Sequence, residues 1–275
     1  LKRWLVFMAT SLLLVSCSHE NSNDSLAKTD KQLVDEDQNE LIEKENGKQL
    51  LNEEGLETNG AETDEPLYKI DDRTWAVVPI EEANEKVVLL TIDDAPDKHA
   101  LEMAYTLKKL GVKAIFFVNG HFIDTHEKAT ILKEIHDLGF IIGNHTYSHQ
   151  NLTNLDQEKQ LQEIIAVNDL VEEITGERPK FFRAPYGANT DESKKIAVEE
   201  KMVVMNWTYG YDWEKGFQEK DALTEIMINS PYLNSGANLL MHDRKWTSAA
   251  LEGIVKGLQE KGYEIVDPDL IEVPE

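Results

Sequence analysis

From about Tyr68 onward, short apolar or β-branched runs alternate with amphipathic stretches of helical period, and no other feature limits the chain as strongly. Residues 87–92, Val-Val-Leu-Leu-Thr-Ile, read as a strand buried on both faces because the apolar run is nearly continuous. A helix is predicted over 100–110, stopped by Gly111, and a second strand over 114–118. The unit recurs with a helix over 128–138 before Gly139, a strand over 140–142, and a long helix over 157–175 before Gly176. Further strands are expected at 180–183, 202–206, 238–241 and 263–266, and further helices at 192–200, 221–229 and 249–260. So many strand–helix units within about two hundred residues predict an α/β fold, its parallel sheet closed into a distorted (β/α) barrel rather than left open and doubly wound. Neither a repeat of fixed period nor a glycine-rich phosphate fingerprint is present.

The segment ahead of this domain has a different character. Lys2 and Arg3 precede an apolar run from Trp4 to Val15 that closes on Leu14-Val15-Ser16-Cys17. A positive start, a short apolar core and small residues at the end describe a secretion signal over 1–17; a spanning helix needs roughly 20 apolar residues. The Leu-Val-Ser-Cys run resembles the lipobox of bacterial lipoproteins, which implies lipidation of Cys17 and attachment to the outer face of the cell membrane. Cys17 is the single cysteine, so the domain has no internal disulfide and must be stabilised by its core. Residues 18–65 carry fifteen acidic residues against four lysines and no aromatic, too little apolar surface to offset ordering entropy, and are expected to form a solvated tether. Residues 66–86 then lead into the folded domain over 87–275. A net charge of −24 without a basic stripe excludes nucleic acid as a partner, and the sequence points to no protein partner.

Five segments carry groups able to bind metal or move protons, each just after a predicted strand, where a barrel gathers its active site. The first is Thr91-Ile92-Asp93-Asp94-Ala95-Pro96, whose adjacent carboxylates would point in opposite directions on an extended chain. In the second, Gly143-Asn144-His145-Thr146-Tyr147-Ser148-His149, two histidines four apart would share one face of a helical turn and could ligate one ion. The remaining three are Arg183-Ala184-Pro185-Tyr186-Gly187, Tyr209-Gly210-Tyr211-Asp212-Trp213 and Leu240-Met241-His242-Asp243. Taken singly, each could equally be a turn, a helix cap or a satisfied core histidine.

As an ordered set the five segments resemble the NodB-homology polysaccharide deacetylases, carbohydrate esterase family 4, over roughly residues 87–266. The resemblance implies a distorted (β/α) barrel of seven or eight parallel strands and a divalent ion, usually zinc, held by Asp94, His145 and His149. It makes Asp93 the general base, Arg183 the residue that orients it, the backbone N–H of Tyr186 an oxyanion donor, His242 the general acid and Asp212 its partner. Trp213 and Leu240 would wall the acetyl pocket. The implied reaction is hydrolysis of N-acetyl groups on a cell-wall glycan to acetate and a free amine, with peptidoglycan N-acetylglucosamine first, and N-acetylmuramic acid or chitin-type oligosaccharides as further substrates. Aspartate with two histidines also accepts Co2+, Ni2+ or Fe2+.

Two departures from the family pattern stand out. Ala95 and Pro96 follow the aspartate pair where glycine is usual, and a positive φ there would penalise alanine. Tyr209 and Gly210 occupy a region where a further aspartate is usual. If extended, Tyr209, Tyr211 and Trp213 would share one side and could stack on sugars, or else pack the barrel mouth. Trp246 is a candidate substrate contact, while His99, His121, His126 and His136 lie outside the motifs. Two rival classes remain: a catalytically silent glycan-binding lipoprotein of the same fold, and a metal-capturing lipoprotein, against which stands the lack of a histidine-rich tract.

Overall fold

The computed structural model describes residues 65–275. The expected signal segment, the lipidation site Cys17 and all but the last residue of the tether lie outside the described residues. Among the described residues no helix is long and apolar enough to cross a membrane.

The lead-in is built into the fold. Strands β1 (Tyr68–Ile70) and β2 (Val77–Pro79) pair antiparallel around a turn in which Asp71 accepts from the backbone N–H groups of Arg73 and Thr74. Then follow β3 (Val87–Ala95), α1 (Ala100–Leu110), β4 (Ile115–Val118), α2 (His126–Asp137), β5 (Ile141–Asn144) and α3 (Gln157–Thr175). The second half comprises β6 (Phe181–Phe182), α4 (Asp191–Glu199), β7 (Val203–Val204), α5 (Lys220–Asn229), β8 (Ala237–His242), α6 (Lys245–Glu260) and β9 (Glu264–Ile265).

Six parallel strands run in the order β7-β6-β5-β4-β3-β8 and curl into a half-barrel; β9 adds a seventh, parallel to the first residues of β3. The sheet does not close by direct pairing of its two ends. β6 and β7 are only two residues long, so the chain beyond β7 crosses the seam instead, through a bridge of Tyr209 with Leu239 and a 2.9 Å bond from Leu240 N–H to the Tyr209 carbonyl.

Strand periodicity divides the core. Val88, Leu90 and Ile92 face the surrounding helices with Met103, Leu107, Leu251 and Ile254, whereas Val87 and Leu89 join Phe117, Phe181 and Met205 in a separate inner cluster. Both faces of β3 are therefore buried, which its unbroken apolar run requires, at about 1.5–3 kcal/mol per large side chain removed from water. Helix α3 begins with Asp156 accepting from Lys159 N–H and ends at Gly176, whose φ of 86° suits a residue without Cβ. α1 has no side-chain cap of its own. The carboxylate of Asp243, just past β8, accepts from the N–H groups of Lys98, His99 and Ala100 at 3.0, 2.6 and 3.0 Å, and so caps α1 from across the sheet.

Candidate active site

All five motif segments converge at the carboxyl ends of the parallel strands, in a cleft of about 480 Å³ lined by Asp93, Asp94, His145, His149, Tyr186, Trp207, Trp213, Leu240, His242 and Arg244. A smaller cavity of about 230 Å³, between β5, α3 and Lys113, contains none of these residues, so the chemistry belongs to the first.

The aspartate pair does not alternate as an extended strand would dictate. Registration of β3 with β4 slips between Ile92 and Ala95, and Asp94 takes a φ of 59°. This bulge turns Asp94 into the same cleft as Asp93. The positive φ thus falls on Asp94 itself, and Ala95, joined to Pro96 by a cis peptide, carries none of the expected strain. Aspartate tolerates the left-handed region better than most residues.

His145 and His149 also come together by a route other than the expected helical turn. Residues 145–149 are irregular, with φ of 66° at Thr146 and 56° at His149. The ring centroids are 4.9 Å apart. Among the described residues seven non-glycine residues have positive φ, and four of them, Asp94, Thr146, His149 and Tyr186, belong to this site or its loops. Such conformations cost about 1–3 kcal/mol each and persist where surrounding packing over-determines them.

Asp94, His145 and His149 form one cluster whose ligand atoms all lie within 4.8 Å of one another. Asp94 Oδ1 is 3.3 Å from His149 Nε2 and 3.9 Å from His145 Nε2. Ligands at about 2.0–2.1 Å around a tetrahedral ion sit roughly 3.3 Å apart, the separation already held by Asp94 and His149, so this set fits a single divalent cation once His145 draws closer to the other two. The Nδ1–H of buried His145 donates to the Arg183 carbonyl at 2.7 Å, which fixes the tautomer and aims Nε2 into the cluster. Burial and then the charge of His145 hold the His149 pKa below its usual value, favouring the neutral imidazole a metal needs. For Asp94, burial pushes the pKa up, but the charges of His242, His145, His149 and Arg244 prevail and keep it low.

Beside the cluster, Asp93 Oδ1 accepts from Arg183 Nη1 at 2.7 Å, while Oδ2 lies 3.5 Å from His145 Nε2. Arg183 is wholly buried; its guanidinium also donates to Thr91 Oγ1 and the Asn206 carbonyl and lies 4.3 Å from the Phe117 ring centroid. Burial lowers its pKa against the opposing charge of Asp93, though an arginine remains a cation in this setting.

His242, the register partner of Asp93 on β8, donates from Nδ1 to Asp212 Oδ1 at 2.6 Å, and the second oxygen of Asp212 accepts from His242 N–H and Thr247 Oγ1. Burial pushes the His242 pKa down, but the bond to Asp212 and the carboxylate charges override it, so the net shift is upward. Trp213 stands edge-on to His242 with centroids 5.5 Å apart and, with Leu240, forms the apolar wall.

The remaining expectations divide between those met and those not. Tyr209 is buried, its hydroxyl donating to the Met227 carbonyl, and the Tyr211 hydroxyl meets Ser230 Oγ; both pack beneath the cleft, leaving Trp213 as the exposed aromatic of that trio. Trp246 donates Nε1–H to the Asp212 carbonyl and supports the loop rather than lining the cleft. His99, His121, His126 and His136 take no part in the cleft lining. Arg244 and Trp207 do line it, and neither was expected. Arg244 stands two residues beyond His242, so the motif's immediate neighbourhood held the signal; Trp207 follows a two-residue strand and had none.

Comparison with known proteins agrees with this geometry. The family model Polysaccharide deacetylase matches residues 80–205. A peptidoglycan-N-acetylglucosamine deacetylase of Bacillus cereus is 32% identical over 190 residues, 66% of this chain and 67% of that protein. The chain belongs to the polysaccharide deacetylase family. The peptidoglycan-N-acetylmuramic acid deacetylase PdaC of Bacillus subtilis is 34% identical over 194 residues, 69% of this chain but 39% of that one. Among solved structures, a wild-type CE4 family pseudoenzyme from Bacillus anthracis superposes with a TM-score of 0.60 at 32% identity, covering 66% of this chain and 63% of its own. Membership places the chain among hydrolases acting on amide bonds, on the curled α/β half-barrel that these relatives share.

Proposed function

We propose that this protein removes N-acetyl groups from a cell-wall glycan, with peptidoglycan N-acetylglucosamine as first substrate, and that it needs a divalent ion, zinc in the first instance. The observation that carries this reading is that a carboxylate–guanidinium pair and a carboxylate–imidazole pair line the same cleft as the Asp94, His145, His149 cluster, with Asp93 and His242 register partners on the neighbouring strands β3 and β8. When bound there, the ion supplies Lewis-acid polarisation of the amide carbonyl and lowers the pKa of water. Asp93, oriented by Arg183, takes the proton from the attacking water. His242, kept protonated by Asp212, gives a proton to the departing nitrogen. Tyr186 offers its backbone N–H to the developing oxyanion, and Trp213 and Leu240 receive the acetyl methyl group. The N-terminal signal and Cys17 extend the proposal to a lipid-anchored enzyme on the outer face of the cell membrane; labelling with a radioactive fatty acid, lost in Cys17→Ala, tests that part.

The decisive measurement is acetate release from purified peptidoglycan and from chitin-type oligosaccharides, with and without a chelator. Release that chelation stops and zinc restores supports the proposal; no release from any acetylated glycan by zinc-loaded protein overturns it. A silent glycan-binding role is the second reading, favoured by the likeness to a pseudoenzyme. It predicts glycan retention without acetate.

A further inference from the structure

The two oxygens of Asp94 face different partners. Oδ1 looks toward the imidazoles, 3.3 Å from His149 Nε2 and 3.9 Å from His145 Nε2, while Oδ2 accepts a 2.7 Å charge-assisted bond from Arg244 Nη2. The arginine is well placed to hold that oxygen. Its backbone N–H donates to the His242 carbonyl at 2.8 Å, its Nη1 donates to the Asp243 carbonyl at 3.2 Å, and Asp243 is itself pinned by three backbone N–H groups at the start of α1. About a third of the Arg244 side chain is open to the cleft, so the pair is not sealed in the core.

We infer that Arg244 is a positioning residue that confines Asp94 to one-oxygen ligation of the ion. This rests on the metal-dependent reading above. A carboxylate with both oxygens free can ligate a cation through one of them or through both. Here the guanidinium engages Oδ2, leaves Oδ1 alone for the ion, and so preserves an open coordination position, which a hydrolytic site requires and a closed structural site lacks. Its positive charge also draws on the ligand and repels the cation, which weakens binding and sharpens electrophilicity. The arginine therefore trades affinity for an open site.

The test compares wild type, Arg244→Met, Arg244→Lys and His145→Ala, using zinc affinity from competition with a chromophoric chelator, oxygen and nitrogen ligand counts from X-ray absorption of the zinc-loaded protein, and kcat and KM for acetate release. With the repelling charge removed, Arg244→Met is expected to bind zinc about tenfold more tightly and to gain one light-atom ligand, with kcat lowered and KM little changed. Arg244→Lys, which keeps the charge and one donor, should lie between. A merely structural arginine would move affinity and rate downward together, so unchanged or weaker zinc binding in Arg244→Met, or an unchanged ligand count, overturns the inference alone. Wild-type protein whose zinc uptake is absent, or indifferent to His145→Ala, removes the metal reading and this inference with it.

Discussion

Arg183 donates to Asp93 Oδ1 at 2.7 Å from a position with no exposure to solvent. Such a pair is worth most when one half is removed, because the survivor is left as an uncompensated buried charge. Arg183→Met is expected to lower the unfolding free energy by about 3–5 kcal/mol in urea titrations. Asp93→Asn keeps the shape but leaves the Arg183 charge uncompensated, so it too should lower stability; in the protein that folds, zinc binding should persist while acetate release slows by about 10²–10⁴-fold.

The pair of His242 with Asp212 sets a pH dependence. Because the net shift of His242 is upward, the imidazole holds its proton to higher pH than a free one and can act as acid there. Activity should therefore fall as pH rises through the folded value, and Asp212→Asn should move this alkaline limb to lower pH while reducing the maximum. The same shift makes the pair's contribution to folding complete below about pH 6.5 and lost as pH rises through the folded pKa. A pH–rate profile whose alkaline limb stays in place in Asp212→Asn would remove His242 from the acid's role.

Zinc should stabilise the protein in proportion to its affinity, by about 2.7 kcal/mol at a free concentration one hundred times Kd. Thermal unfolding with and without chelator reads this directly. The shift should vanish in His145→Ala, whose Nε2 is aimed at the cluster by the bond to the Arg183 carbonyl.

Gly210 fits a close approach. A Cβ there would stand 2.3 Å from the Leu240 carbonyl oxygen and 2.8 Å from Trp213 Cζ3. Gly210→Ala is expected to destabilise by about 1–3 kcal/mol and to push apart the two walls of the acetyl pocket. KM for acetylated substrate should rise, with zinc affinity unaffected.

Much of this could be read from the chain. The limits of α1 and α3 coincide with the predicted 100–110 and 157–175, because each combines an amphipathic period with a terminal glycine in a left-handed conformation. The site residues were recognisable as a set, yet the manner of their convergence was not. Strand alternation predicts Asp93 and Asp94 on opposite sides, and helical spacing puts His145 and His149 on one turn, but a bulge and two left-handed residues produce the cluster instead. Those are tertiary solutions, imposed by packing against β4, β5 and β8, that local propensity does not encode. The β1–β2 hairpin escaped notice because its strands are three residues each, too short for a period to show. Arg244 escaped because its nearness to His242 does not by itself identify Asp94 as its partner.

The cap that Asp243 places on α1 links positions 143–145 residues apart in the sequence. All three metal-ligand candidates have left the ribosome long before that carboxylate is made, and β8, which pairs with β3 along six residues, arrives equally late. Assembly of the cleft is therefore a terminal event in the maturation of the molecule. A chain cut short before residue 237 would retain Asp94, His145 and His149, yet would lack the strand and the anchor that hold the first of them in place.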